Sequence, residues 1–287
     1  MKDLKGKVAV VTGAAQGIGR ETAILLAKSG CHLAVCDVDM DGLGETAEII
    51  QGMGRRVSAH KVDTSDREAM HAFADAVAKA HGGVDIVVNN AGVALTCPIR
   101  DMEYEDFEWL MGINFWGMVH GTKAFLPHLE DRPEGHVVNI SSVFGLWGIP
   151  TQSAYNCSKF AIRGFTEALG MELAGTNIHV TCVHPGGIRT NIAKNSRHTA
   201  KDDCAFGDKQ QAMETFEKVA RTTPEQAAKV IVKGIKKNRR RVLIGADAYV
   251  MDTIQRLFPV TYQRIIPAFE ALSGRSSAKK GLVRRAG

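Results

Sequence analysis

The chain has 287 residues, 45% of them hydrophobic and 23% charged, an ordinary balance for a globular protein with a large core. Its net charge of +5 resides in residues 273–287, where Arg275, Lys279, Lys280, Arg284 and Arg285 meet no acid; the rest is neutral, which excludes a basic nucleic-acid binder. Six scattered cysteines without a Cys-x-x-Cys pair, ten histidines without ligand spacing and no apolar run near ~18 residues argue against a disulfide framework, a metal site and a membrane span.

The opening residues lead into a strand-like run with no signal-peptide pattern, so a reducing, cytoplasmic setting is expected. That run, Val8–Thr12, is continuous and Val-rich, as a strand buried on both faces reads. It enters Thr12-Gly13-Ala14-Ala15-Gln16-Gly17-Ile18-Gly19, and a helical pattern follows over Gly17–Ser29. Glycines here let the backbone turn tightly against a pyrophosphate, and a helix N-terminus offers free N–H groups. The second strand, His32–Cys36, ends at Asp37. An acid there can accept hydrogen bonds from an adenosine ribose and would repel a 2′-phosphate. With no arginine or lysine at positions 16, 38 or 39, this favours NAD over NADP; the alternative is a carboxylate that only caps a turn.

A helix over Leu43–Gly52 leads to a strand at Val57–Val62 and then to Asp63-Thr64. Asp63 is placed either to accept the adenine amino group or to cap the next helix, Arg67–His81. The fourth strand, Ile86–Val88, closes in Asn89-Asn90-Ala91-Gly92. Small residues let a ligand approach and an asparagine can tie loops together, although a plain turn reads equally well. A single long helix is predicted over Tyr104–Leu129, with Trp109, Phe115, Trp116 and Phe125 as packing residues.

The fifth strand, His136–Ile140, runs into Ser141-Ser142, and a helix over Ala154–Leu173 carries Tyr155 and Lys159. Positions i and i+4 share a helical face, so an ammonium should lie beside a phenol and favour its ionised form. A tyrosine so prepared is a general acid/base. Cys157 is turned off that face and reads as packing. The sixth strand, His179–Val183, is followed by His184-Pro185-Gly186, in which His184 is read as filling a turn. Residues 189–222 are polar and weakly periodic, as a lid or mobile loop would be. A helix over Glu225–Asn238 and a strand at Val242–Ile244 complete the alternation, which implies a parallel sheet with helices on both sides. Gly13, Asp37, Asp63, Asn90, Ser142 and Gly186 all fall just past strand ends, the edge where such sheets bind ligands.

Residues 246–287 read as an extension to a dinucleotide-binding and catalytic domain, 1–245. One or two helices, interrupted by Pro259 and Pro267, are expected to pack Leu257, Phe258, Ile265 and Phe269 on the body. The alternative is contact of this segment and its basic tail with an anionic membrane surface.

Jointly, Thr12-Gly13-x-x-x-Gly17-x-Gly19, Asn89-Asn90-Ala91-Gly92, Asn114, Ser142, Tyr155-x-x-x-Lys159 and Pro185-Gly186 make residues 5–245 resemble the short-chain dehydrogenase/reductase family. The resemblance implies an α/β, Rossmann-type doubly wound sheet of about seven strands. It implies hydride transfer between a nicotinamide dinucleotide and a carbinol carbon. Tyr155 would be the acid/base, Ser142 the hydroxyl holding the substrate oxygen, and Asn114 the anchor of a water for proton relay. Lys159 would bind the nicotinamide ribose and lower the tyrosine pKa. Gln16, Ile18, Thr64, Ala91, Ile188 and Thr190 would join the glycines, Asp37, Asp63 and Pro185-Gly186 around the cofactor. A homodimer or homotetramer is implied through the helices that carry Phe115 and Tyr155. The apolar stretch after Ser142, with Leu95 and Ile192, favours a hydrophobic alcohol or ketone. An NADP-dependent 3-oxoacyl-type reductase and a catalytically silent nucleotide-sensing protein are the alternatives.

Overall fold

Seven strands pair into one parallel sheet; the central ones, rich in Val, Ile and Ala, are buried on both faces, whereas the edge strand Val57–Lys61 stays partly exposed. They are β1 (Val8–Thr12), β2 (His32–Asp37), β3 (Val57–Lys61), β4 (Ile86–Asn89), β6 (Gly135–Ile140), β7 (Ile178–Pro185) and β9 (Arg241–Ile244), ordered β3-β2-β1-β4-β6-β7-β9. Neighbouring residues on a strand face opposite ways. Val11, Val88 and Val138 therefore meet the helices of one layer, α1 (Gly17–Lys28) and α7 (Pro224–Lys236). Val10, Val87 and Val137 meet the other layer, where Phe73 and Val77 of α3 (Arg67–His81) pack with Phe125 and Leu129 of α5 (Gly117–Glu130). The computed structural model describes residues 1–198 and 220–264; most of the predicted 189–222 loop with Cys204, and the segment holding Ile265, Pro267, Phe269 and the basic tail, lie outside the described residues.

The strand order changes direction between β1 and β4, which opens a crevice beyond their C-terminal ends. Helix starts on the rim are defined chemically. Asp39 caps α2 (Met40–Gly52) and Asp66 caps α3, each accepting a backbone N–H three residues on. Thr223 and Gln226 form a capping box at α7.

Three features depart from the sequence expectations. The long helix over Tyr104–Leu129 is continuous but not uniform: α4 (Tyr104–Met111) passes through a π-helical turn, Gly112–Trp116, before α5 begins. Leu95–Thr96 (β5) and Arg197–His198 (β8) form a small parallel pair apart from the main sheet. Helix α8 (Ala246–Leu257) leaves Leu257 66% and Phe258 52% exposed, so these two do not pack on the body; Met251, Ile254 and Tyr262 do so instead. Of the predicted packing aromatics, Phe125 is fully buried and Phe115 meets Phe165 edge-on, whereas Trp116 is exposed and stacks on His120. Among the described residues, no helix is long and apolar enough to cross a membrane.

At the opposite edge of the sheet, Asp85 is fully buried ahead of β4. It accepts from Val8 N at 2.8 Å and pairs with Arg132 at 3.0 Å and Lys7 at 3.3 Å. Removing this carboxylate strands a buried N–H and a cation. Asp85→Ala is therefore expected to destabilise the protein by on the order of 3 kcal/mol, measured as a lower urea midpoint at unchanged m-value.

Candidate active site

The turn between β1 and α1 requires glycine at positions 13 and 19. Gly13 has φ +64°, and a Cβ there would lie 2.7 Å from Ala91 Cα; a Cβ on Gly19 would lie 2.1 Å from the Gly13 carbonyl oxygen. The turn thus rests directly on the Asn89-Asn90-Ala91-Gly92 loop. Thr12 Oγ1 accepts from Asn90 N and Ala91 N, both at 3.0 Å. Asn90 Nδ2 donates to the Thr12 and Gly13 carbonyls, also at 3.0 Å. The loop is a tie between strands, not a plain turn.

Helix α1, which starts at Gly17-Ile18, has no side-chain cap from Gln16 and no acid in its first turn. Its first N–H groups and the side-chain-free cradle fit the pyrophosphate of a dinucleotide. At the end of β2, Asp37 accepts from Ala15 N at 2.9 Å, Val38 N at 2.8 Å and Asp39 N at 3.1 Å. Its carboxylate therefore does cap the turn, and is held rigid at the rim by doing so. Arg20, in the first turn of α1, is committed to the Ala15 and Gly42 carbonyls at 2.8 Å and to Glu45 at 2.9 Å. After β3, Asp63 binds Ser65 N and Oγ at 2.9 and 2.7 Å, so the capping of α3 falls to Asp66 alone. Thr64 is buried, its carbonyl against His120.

The reacting end is reached through Gly92, whose Cβ position lies 3.1 Å from Asn114 Oδ1 and 3.6 Å from Lys159 Nζ. Asn114, in the π-helical turn, is buried; its amide binds Val93 N at 2.8 Å, Val93 O at 3.0 Å and Ser158 Oγ at 3.2 Å. That side chain fastens the β4 loop to α6 (Ser153–Glu172). Lys159, only 4% exposed, donates to the Ile140 carbonyl at 3.0 Å, and its own carbonyl accepts from Ser141 Oγ at 2.8 Å. Its Nζ sits 5.4 Å from the Tyr155 ring centroid. Ser142 begins a one-turn 3-10 helix, Val143–Gly145, and its Oγ accepts from Phe144 N at 3.1 Å.

The electrostatics run against the sequence expectation of an acidified phenol. Burial pushes Tyr155 up to about 12, with hydrogen bonding to Ser142 pulling the other way. Burial likewise pushes Lys159 down to about 8, with Cys182 opposing. Desolvation is the largest cause of both shifts.

Pro185 ends β7 and Gly186 follows it, with Gly187 N on Asp247 at 2.7 Å and the buried Ile188 bridged to Thr222. The chain then crosses the mouth as a strap. Asn191 donates to Gln16 at 2.9 Å and Thr190 packs on Gly17. Farther along, Arg197 pairs with Asp106 at 3.1 Å and lies 3.6 Å over the Trp109 ring. The extension supplies another wall: Trp147 Nε1 donates to the Met251 carbonyl at 2.8 Å, and its ring lies 4.9 Å from that of Tyr262.

Sequence reasoning missed Asn156. Its amide holds the Phe144 and Trp147 carbonyls at 2.7 and 2.6 Å and accepts from Ile149 N at 3.0 Å, fixing the loop after Ser142. A poor helix former next to Tyr155 was the available signal. His184 was assigned to a turn but lies on β7, fully buried, with Nδ1 3.0 Å from the Ser142 carbonyl oxygen.

The family model for short chain dehydrogenases matches residues 7–201, and the chain belongs to that family. It is 46% identical over 272 residues to a protein named SadH from Mycobacterium tuberculosis, covering 93% of this chain and 96% of that one. It is 32% identical over 281 residues to human estradiol 17-beta-dehydrogenase 11, covering 95% and 88%. A short-chain dehydrogenase/reductase from Burkholderia phymatum, crystallised with NAD, superposes with a TM-score of 0.81 at 26% identity, covering 96% of this chain and 98% of that chain.

A lysine depressed by folding binds its proton less tightly folded than unfolded. Its contribution to stability therefore rises as the pH climbs from about 8 toward the ordinary value of 10.5. Melting temperatures of the wild type and Lys159→Met, compared at pH 8 and pH 10, should show the difference, wild type minus variant, becoming more positive at the higher pH.

Proposed function

We propose that this member of the short-chain dehydrogenase family transfers hydride between NAD(H) and a hydrophobic secondary alcohol or ketone, with Tyr155 as general acid/base. The observation that carries the reading is the continuity of the rim. Gly13 rests on Ala91, Gly92 adjoins Lys159, and Lys159 adjoins Tyr155, whose phenol is hydrogen-bonded with Ser142. One end suits a pyrophosphate and the other holds a proton-transfer group.

Bound there, the dinucleotide supplies the hydride acceptor and a positive charge near the phenol. The chain's residues do the rest. The Gly13 turn and the uncapped start of α1 bind the pyrophosphate, with Gln16, Ile18, Ala91, Ile188 and Thr190 around it. Asp37 takes the adenosine ribose hydroxyls and would repel a 2′-phosphate, and Arg20 is committed elsewhere. The NAD complex of the Burkholderia phymatum relative supports this preference. Asp63 and Thr64 flank the adenine, and Lys159 reaches the nicotinamide ribose. Ser142 has one lone pair on Phe144 N–H, so its proton is free to hold the substrate oxygen or the phenolate. In oxidation Tyr155 takes the alcohol proton; in reduction it returns it. The Asn114 side chain is committed to Val93 and Ser158, so any water it anchors is held by its backbone.

The wall beside Tyr155 is apolar, with Val93, Leu95 and Trp109 on one side and Phe144 edge-on at 6.0 Å on the other. That lining and the estradiol dehydrogenase among the relatives support a hydrophobic secondary alcohol. Residues 1–245 carry cofactor and chemistry, while the extension from Ala246 shapes the substrate end through Trp147. Exposed Trp116 and Phe160, on adjoining helical segments, suit pairing of two copies, and the scattered cysteines suit a cytoplasmic setting.

Tyr155→Phe is expected to lower kcat by roughly 10²-fold or more with NAD⁺ affinity kept, checked by a spectrophotometric screen of secondary alcohols beside a binding titration; full turnover in this variant would refute the mechanism. Asp37→Ala should weaken NAD binding about tenfold while NADP binding holds or improves. Equal losses for both dinucleotides would remove the assigned preference.

A further inference from the structure

One buried side chain faces the reacting end and has no part in the chemistry above. His184 is the penultimate residue of β7, with no exposed surface. Its Nδ1 lies 3.0 Å from the Ser142 carbonyl oxygen, which can only accept, so Nδ1 bears the hydrogen. Burial keeps the ring neutral down to about pH 4, so this donor persists through the working range of a dehydrogenase.

We propose that His184 is a positioning residue, holding the Ser142 peptide so that the serine hydroxyl points at the oxygen of Tyr155 and of the substrate. The proposal rests on the acid/base reading of Tyr155 and Ser142. Ser142 sits in extended backbone, φ −166° and ψ 168°, between the end of β6 and the 3-10 turn. The final ladder bond from β6 to β7 is Ser141 N to the Val183 carbonyl, at 2.8 Å, one residue short of it. The Ser142 carbonyl has a second donor, Gly145 N at 3.0 Å, but that bond is internal to the turn. It shapes the turn without orienting it on the sheet. The imidazole comes from the neighbouring strand, so it carries the β6–β7 attachment one residue farther, onto the residue with the hydroxyl. The Ser142 Oγ already accepts from Phe144 N, so its proton direction follows from the backbone that His184 grips.

The test compares His184→Leu, which removes the donor, with His184→Asn, whose amide nitrogen reaches the Nδ1 position, and His184→Gln, whose amide reaches past it. The probe is the secondary alcohol that the wild type oxidises fastest in a panel from short diols to steroids. The leucine variant should lose at least about tenfold in kcat and retain its NAD⁺ affinity within about twofold. Its rising kcat/KM limb should move to higher pH, because the hydrogen bond that favours the phenolate is lost. Asparagine should restore both and glutamine neither. An unshifted profile with kcat intact in the leucine variant would overturn the proposal. If that variant does not fold, indistinguishable asparagine and glutamine variants would do so. Ser142→Ala and Tyr155→Phe run alongside: full activity in these sinks the reading of the site itself, whereas their loss with an unaffected His184→Leu removes only the positioning role.

Discussion

One hydroxyl group fastens the loops that leave the two central strands at the end where the site lies. Thr12 Oγ1 takes two backbone N–H groups from the loop after β4, and Asn90 returns two bonds to the backbone around Thr12. The chain diverges from this point in opposite directions across the sheet, so nothing else in the strand ladder would keep the two loops together. With the tie in place, the glycine turn lies on Ala91 so closely that no side chain fits between them. Gly92 is then delivered beside Asn114 and Lys159. The two ends of the site, some eighty residues apart in sequence at Gly13 and Gly92, thereby share one frame.

Desolvation is the second organising effect. A lysine and a tyrosine four residues apart suggest mutual charge stabilisation, yet both are held toward their neutral forms. The ammonium is bound by the Ile140 carbonyl and lies over the phenol ring rather than being spent on its oxygen. The chain alone thus stores the phenol protonated. This arrangement has a use in the proposed chemistry, because the proton is mobilised only when further positive charge enters the crevice.

Much of the fold was legible in the sequence because its physical basis is local. Strands buried on both faces read as unbroken Val and Ile runs; all seven strands of the sheet were found, the first with both ends matched and the other six with an end shifted by one or two residues. Glycines at 13 and 19 announced a turn no other residue could make. What escaped depends on distant partners. A two-residue pairing such as Leu95 with Arg197 is too short to leave a period. The place of His184 depends on which carbonyl lies across from it. Leu257 and Phe258 show that apolar character names a face without saying that anything covers it. Spacing put Lys159 beside Tyr155 correctly, but the direction of the pKa shifts required knowing how much water each had lost.

The π-helical turn at Gly112–Trp116 has a geometric consequence for everything after it. An α-helix advances about 100° per residue, so a turn that holds one residue more delays the winding by that angle. Leu110 before it faces Leu95 and Ala154, whereas Phe125 and Leu129 beyond it face the main sheet. Deleting one residue between 112 and 116 would barely shorten this rod, but it would swing the downstream apolar stripe a quarter of the way round the axis. In this stretch, chain length is a setting of angle.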